Sequence, residues 1–256
     1  MATMSRLKDW VDRRQCYPGS EDFLIGQDLL DLAREWRGNK VLLSFSRGKD
    51  AIATWLYLRE NGFEILPYTL YVVPGLGYQE RALRYYEEFF GQHIMRLPHP
   101  HFYYLLVNGV WMPPTDWATI KAFEFPVFGF ETIDDLIAYD AGLTDPMPWC
   151  AMGMRRADNL LRMTLIDQTG VLGTKARRFF YPIWDWKIDD ICEIIERYDV
   201  AIPADYEMFG WRGTTETMSY RRLKQVRDHY PEDWEKFLAW FPLLESQMFR
   251  YEVVGQ

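Results

Sequence analysis

Seven consecutive residues, Ser44-Phe45-Ser46-Arg47-Gly48-Lys49-Asp50, bring together two hydroxyls, two cations, a carboxylate and a glycine directly after the apolar run Val41-Leu42-Leu43. Such a set is suited to holding an anion. A strand that passes through small residues and a glycine into a helix leaves backbone N–H groups aimed at one point, where the helix dipole also favours negative charge. Ser44 and Ser46 can donate hydroxyl hydrogen bonds to phosphate oxygens, Gly48 lets the backbone approach closely, and Lys49 supplies a compact positive charge. Arg47 reads either as an inward phosphate or sulfate clamp or as a solvent-facing residue, and Asp50 as the first-turn acid of the helix or a metal or water contact. The spacing is neither Gly-x-x-x-x-Gly-Lys-Ser/Thr nor Gly-x-Gly-x-x-Gly, so two common nucleotide loops are absent. A second cationic stretch, Arg155 to Arg178, holds Arg155, Arg156, Arg162, Lys175, Arg177 and Arg178 against Asp158 and Asp167. It is a further candidate for phosphate contacts.

The elements needed to position these residues are legible as alternating strands and helices. Leu24, Ile25, Leu29, Leu32, Ala33 and Trp36 recur at helical spacing, and Gly38-Asn39 ends that helix just before the strand at 41–43. Ile52, Ala53, Leu56 and Tyr57 mark the apolar face of the next helix, closed by Asn61-Gly62. A strand over Ile65 to Val73, a helix from about Gln79 to Phe90 and a strand over His93 to Leu97 follow. This alternation predicts right-handed crossovers and a mainly parallel sheet covered by helices on both faces. From Pro98 to Met147 the pattern gives way to an aromatic and proline-rich stretch with one helix starting near Thr132. Alternation resumes with a helix near Arg156 to Gln168, a short strand Phe179 to Ile183 and a helix Ile188 to Tyr198, for which Asp189-Asp190 are helix-start acids. Ser219 to Phe249 reads as one or two helices split around Pro231.

The Ser46-Arg47-Gly48-Lys49-Asp50 core resembles the pyrophosphate-binding loop (PP-loop) of the adenine nucleotide alpha-hydrolase superfamily, usually Ser-Gly-Gly-Lys-Asp-Ser. Arg47 stands where the first glycine is usual and Ala51 where the closing serine is usual. Two further segments align in order with one branch, the phosphoadenosine phosphosulfate reductase-like proteins, which include the small subunit of bacterial ATP sulfurylase. Gly153-Met154-Arg155-Arg156-Ala157-Asp158 is similar to the branch's arginine segment, and the stretch Phe180 to Ile191, with Pro182, Trp184, Trp186 and Asp190, to its strand-to-helix signature. The resemblance spans about residues 25–230. It implies an α/β, Rossmann-like fold with a PP-loop domain over 1–200, carrying the 98–147 insertion, and a helical C-terminal extension over 201–256.

The resemblance further implies a nucleotide held by Ser44, Ser46, Arg47, Gly48, Lys49, Asp50, Gly153, Arg155, Arg156 and Asp158, with Lys49, Arg47 and Asp50 nearest the chemistry. ATP-using members keep the Gly-Lys-Asp, and the thiol-dependent reductases need a C-terminal cysteine; this chain keeps Gly48-Lys49-Asp50 and has no cysteine after Cys192. ATP with Mg2+ is therefore the implied ligand, and attack of an acceptor oxygen on the alpha-phosphorus with release of pyrophosphate the implied reaction. Two alternatives stay open: a nucleotide-binding partner subunit without turnover, and a sulfonucleotide-binding enzyme that takes its thiol from another protein. On a helix, adjacent Arg155 and Arg156 would point different ways, so one of them reaches the ligand. Asp158 reads as a ribose or metal contact or as a helix-start acid, and Cys150 as a sulfur carrier or a buried apolar residue.

Composition narrows the classes. At 256 residues, with 48% hydrophobic and 26% charged residues, the chain can bury a sizeable core, and no apolar run approaches a membrane span. With the charged start Met1 to Arg14, this sets a cytoplasmic expectation. Three cysteines without a Cys-x-x-Cys pair argue against a disulfide framework, zinc or an iron–sulfur cluster, and His93, His99 and His101 lack the carboxylate spacing of a metal site. A net charge of −8 speaks against broad nucleic-acid binding. The resemblance also implies a protein partner or a second copy, and the aromatic segment Phe102 to Phe130 reads as a docking or a substrate-covering surface.

Overall fold

The computed structural model describes residues 23–125, 128–173, 177–210 and 218–254. The readings that concern Met1 to Arg14 and Lys175 lie outside these residues. The first elements are helix α1 (Gly26–Arg37), strand β1 (Lys40–Ser44), α2 (Lys49–Glu60), β2 (Glu64–Tyr71), α3 (Gly77–Phe90) and β3 (Met95–Pro98). Then come α4 (Pro100–Val107), α5 (Pro114–Lys121), α6 (Phe130–Asp140), β4 (Trp149–Ala151), α7 (Leu160–Thr169), β5 (Phe179–Phe180) and α8 (Ile188–Arg197). The last helices among the described residues are α9 (Asp205–Phe209), α10 (Tyr220–His229), α11 (Pro231–Trp240) and α12 (Leu244–Val254).

The five strands form one sheet in the order β3-β2-β1-β4-β5, flanked by helices. β1 pairs in parallel with β2 (Ser44 opposite Tyr68) and with β4 (Leu42 opposite Cys150), and β4 in parallel with β5 (Ala151 opposite Phe180). This is the α/β architecture expected from the alternation. The chain divides into two units, one taking in the described residues up to Tyr68 together with Asp134–Ala201, the other Thr69–Ile133 and the residues from Ile202 onward.

In the first unit Val41, Leu42 and Leu43 are fully buried, as are Leu29 and Leu32 of α1, Ile52 of α2, Trp149 of β4 and Ile191 of α8. Two buried indoles satisfy their N–H groups on backbone carbonyls, Trp149 on Ala33 and Trp184 on Leu24, each at 2.9 Å. The second unit has its own core, built from Val73, Leu76, Phe102, Trp234, Phe237 and Phe241. There the carboxylate of Asp233, 3% exposed, accepts the N–H groups of Gly77 at 2.6 Å and Tyr78 at 3.1 Å, and so caps α3 from outside its own sequence.

The structure corrects the reading of 98–147 as irregular save for one helix. Three helices form there, and two of them carry a proline at their start, Pro100 in α4 and Pro114 in α5. At the first helical position the missing N–H costs nothing and the fixed φ favours the helix, so these prolines begin helices within the stretch read as proline-rich and irregular. β4 was not foreseen: three residues are too short to show a period. β5 is shorter than its expected span, ending before Pro182, which has no N–H to give a ladder. The helix expected from Arg156 starts at Leu160, because Asn159 caps it by accepting the Arg162 N–H at 2.9 Å. Among the described residues beyond Ser219 there are three helices, one more than the one or two expected.

Beside β3, Glu87 of α3 takes hydrogen bonds from Arg96 and from the Ile94 N–H (2.8 Å), with His93 Nδ1 2.7 Å away. The Arg96 hydrogen bond is the chief cause that pulls the Glu87 carboxyl from 4.5 down to about 2, against the opposing effect of burial. A depressed carboxylate contributes stability above its unfolded value and loses it as pH falls through the folded one. Glu87→Gln is therefore expected to cost about 1 kcal/mol at neutral pH, a modest figure for a partly exposed pair. The deficit should shrink as pH falls from 4.5 towards 2, as read by urea melts across that range.

Candidate functional site

β1 ends at Ser44, and α2 begins at Lys49 after a turn of four residues. Within that turn Arg47 has φ 64°, the left-handed region where a residue with a Cβ is strained. Arg47 therefore keeps the backbone conformation that a glycine would adopt at this position while adding a guanidinium, and that side chain is 2% exposed. The solvent-facing reading of Arg47 is thereby removed. Ser46 is exposed, and its Oγ accepts the Gly48 N–H at 3.4 Å, a contact internal to the turn. Gly48 is the N-cap of α2, so no side chain at the cap competes for the first-turn N–H groups.

Lys49 and Asp50 open the helix, and Lys49 Nζ donates to Asp50 Oδ2 at 2.7 Å. Arg155 approaches the same carboxylate from the loop between β4 and α7, with its Nε 2.8 Å from Asp50 Oδ1. Despite that separation neither atom is hydrogen bonded, because the N–H does not lie along the line to the oxygen; the contact is an ion pair alone. The terminal nitrogens of Arg155 are engaged elsewhere: Nη2 donates to Asp158 Oδ1, and Nη1 lies at 3.5 Å from the Trp186 carbonyl. Arg162 donates to the other oxygen of Asp158. Arg47, Lys49 and Arg155 are each 9% exposed or less, so three cationic side chains are buried around one helix N-terminus. Burial of that kind is tolerated where anions compensate it.

The two loops are in backbone contact. A Cβ on Gly153 would lie 2.7 Å from the carbonyl carbon and oxygen of Asp50 and 3.0 Å from the Ala51 nitrogen. Only glycine permits this approach. Because β4 lies beside β1 in parallel, the segments that leave their C-terminal ends meet at one place.

Of the residues singled out in the sequence, Ser44 ends β1, Ser46, Arg47 and Gly48 form the turn, Lys49 and Asp50 open α2, and Gly153, Arg155 and Asp158 lie on the loop after β4. Arg156 does not face the group. Its Nε donates to Asp167 Oδ1 at 3.1 Å and its Nη2 to Asp167 Oδ2 at 3.4 Å, on the side of α7. Arg155 and Arg156 are on a loop and not a helix start, and Asp158 is occupied by two arginines and not by its helix end. Arg178 turns to Asp135 and the Met147 sulfur. Arg162 was noticed only as part of a basic run; its spacing from Asp158, i to i+4, was the signal that joins it to the site.

The remaining candidates are structural. Cys150 is 5% exposed on β4, with its Sγ 3.3 Å from the Tyr68 hydroxyl, which in turn donates to Asp134 at 2.9 Å. Burial pushes the Cys150 thiol well up from its usual range, opposite to what a sulfur nucleophile requires. His99 accepts the His101 N–H at 2.9 Å and starts α4, and burial lowers its pKa. Among the described residues no three His, Cys, Asp or Glu side chains converge on a metal position, and no described helix is long and apolar enough to cross a membrane.

No protein-family model matches the chain, and no curated protein does. Among solved structures the fold is similar to the U34-tRNA thiolase NcsA from Methanococcus maripaludis with its [4Fe-4S] cluster, at 12% identity and a TM-score of 0.41, over 94% of this chain and 80% of that one. It is also similar to phosphoadenylyl-sulfate (PAPS) reductase from Candida auris in a phosphate complex, at 12% identity and a TM-score of 0.40, over 79% of this chain and 90% of that one.

Proposed function

We propose that this site binds ATP, with the beta and gamma phosphates over Arg47, Gly48, Lys49 and the first-turn N–H groups of α2, and the alpha-phosphate towards Arg155. An acceptor oxygen attacks the alpha-phosphorus, the bond to the bridging oxygen breaks, and pyrophosphate leaves with the electron pair while the acceptor's proton passes to solvent. The chain's part is positioning and charge stabilisation, with no covalent protein nucleophile. The observation that carries this reading is the burial of Arg47, Lys49 and Arg155 around a helix N-terminus capped by glycine.

Mg2+ that arrives with a nucleotide keeps several waters and takes only one or two carboxylates from protein. Asp50 Oδ1, which accepts no hydrogen bond, is a donor atom of that kind, so the residues present fit the ion. When bound, Mg2+ would supply charge neutralisation on the phosphates. Asp158, which accepts from two arginines, serves to hold Arg155.

Lys49→Ala is expected to reduce pyrophosphate release from ATP by about 10²–10³-fold, the scale of one lost charge-stabilising donor. The assay is phosphate-coupled detection of pyrophosphate with sulfate, nucleobases and other small acceptors offered in turn. Ala51, which brings no hydroxyl to the loop, favours a second reading, binding without turnover. Tight ATP binding with no release under any acceptor would establish that reading in place of the first.

A further inference from the structure

Asp50 is placed unusually for a residue of a phosphate site: its carboxylate already occupies two of the cations that a phosphate needs. Oδ2 accepts from Lys49 Nζ at 2.7 Å, and Oδ1 lies 2.8 Å from Arg155 Nε. The second contact is incomplete. The Arg155 side chain is 7% exposed, its two terminal nitrogens are held by Asp158 and the Trp186 carbonyl, and its Nε–H has no acceptor although an anionic oxygen lies in van der Waals reach. A buried donor left without an acceptor costs about 1–3 kcal/mol. Here it marks a position for an oxygen that Asp50 Oδ1 only approximates.

The surroundings fix Arg155 and leave Asp50 the part able to yield. Asp158 is braced by Arg162 on its far side, and Gly153 packs backbone to backbone on the α2 start, so the guanidinium is held from behind. Asp50, by contrast, is tied through its side chain, among the described residues, to the two cations it occupies, while its backbone carbonyl is fixed by the Thr54 hydroxyl at 2.7 Å. A carboxylate rotating about χ1 can leave without any change in the helix.

We infer that Asp50 is an internal anion, a stand-in for phosphate that holds Lys49 and Arg155 in place and gives them up to the incoming phosphoryl oxygens. The inference rests on the phosphate-binding reading above and adds to it that nucleotide binding is a displacement, one anion exchanged for another. Binding is weakened by the anion expelled, and in the free protein the carboxylate offsets part of the cost of burying the two cations.

The test is calorimetric titration of the full chain with inorganic pyrophosphate in the presence of a chelator, so that no divalent ion takes part. Asp50→Asn is expected to bind pyrophosphate about ten- to a hundredfold more tightly than wild type, the range of one charge-assisted contact. Asp158→Asn is the control for charge alone: it removes the same charge from the same cluster but loosens Arg155, and is expected to bind more weakly than wild type. Equal tightening in both variants, or none in Asp50→Asn, overturns the inference while Lys49-dependent binding by wild type leaves the phosphate reading standing. No pyrophosphate or ATP bound by either wild type or Asp50→Asn overturns both. Should Asp50→Asn not fold, a crystal structure of the wild type with pyrophosphate decides: the Lys49–Asp50 contact broken supports the exchange, and the contact retained at 2.7 Å overturns it.

Discussion

Gly153→Ala is expected to abolish pyrophosphate and ATP binding and to destabilise the first unit by about 3 kcal/mol, the upper part of the range for forcing extra volume into a packed site. The added methyl would sit 2.7 Å from the Asp50 carbonyl carbon and oxygen, which are backbone atoms at the start of a buried helix and cannot turn aside as a side chain can. Either the loop after β4 moves away, taking Arg155 with it, or α2 shifts and the turn at Arg47 opens. Urea unfolding measures the first effect and calorimetry the second. Gly129→Ala is the companion variant: a Cβ there meets nothing within 4 Å, so it should leave both unchanged. Equal behaviour of the two variants would show that the contact between the loops is dispensable.

Arg155→Ala is expected to cost about 3–5 kcal/mol, as does breaking a buried ion pair from one side, and to remove measurable nucleotide binding. The reason is that the guanidinium touches both Asp50 and Asp158, so its loss strips a cation from two carboxylates at once. Arg155→Lys should not restore binding, because an ammonium is a single point of charge and cannot meet two acids in the geometry of a planar fork. Arg156→Ala is the informative neighbour. Its partner, Asp167, and Arg156 itself are both partly exposed, so the change should cost no more than about 1 kcal/mol and leave binding intact. A reversed order of the two alanine variants would place the wrong arginine in the site.

That distinction between adjacent arginines illustrates where sequence reading stops. The strand-turn-helix at Ser44 to Asp50 was legible because its residue types are local and each has a local reason to be there. Gly153, Arg155 and Asp158 were legible as candidates from a motif, but which arginine turns inward depends on where α7 begins, and that is decided by the Asn159 cap, a single hydrogen bond. Arg47 could not be resolved from sequence at all, since a residue at φ 64° looks like any other arginine until the backbone is seen. The order of strands and helices came from periodicity, which is strong over ten residues and empty over the three of β4. Proline misled at Pro100 and Pro114 for a related reason: whether it ends a helix or begins one depends on the neighbours that pack around it, such as Phe102 in the second core.

The pairing of β1 with β4 also bears on how the molecule assembles during synthesis. Asp50 and Arg155 are about a hundred residues apart in the chain, and the contact between them closes a loop that contains α2 to α6 and β2 to β4. Closing such a loop is entropically slow compared with forming a local hairpin or helix. At about 5–20 residues per second on the ribosome, the first cationic loop emerges roughly 5–20 s before the arginine that completes it. During that interval Lys49 and Asp50 have each other, so the lysine leaves the exit tunnel with its counter-ion beside it in the chain.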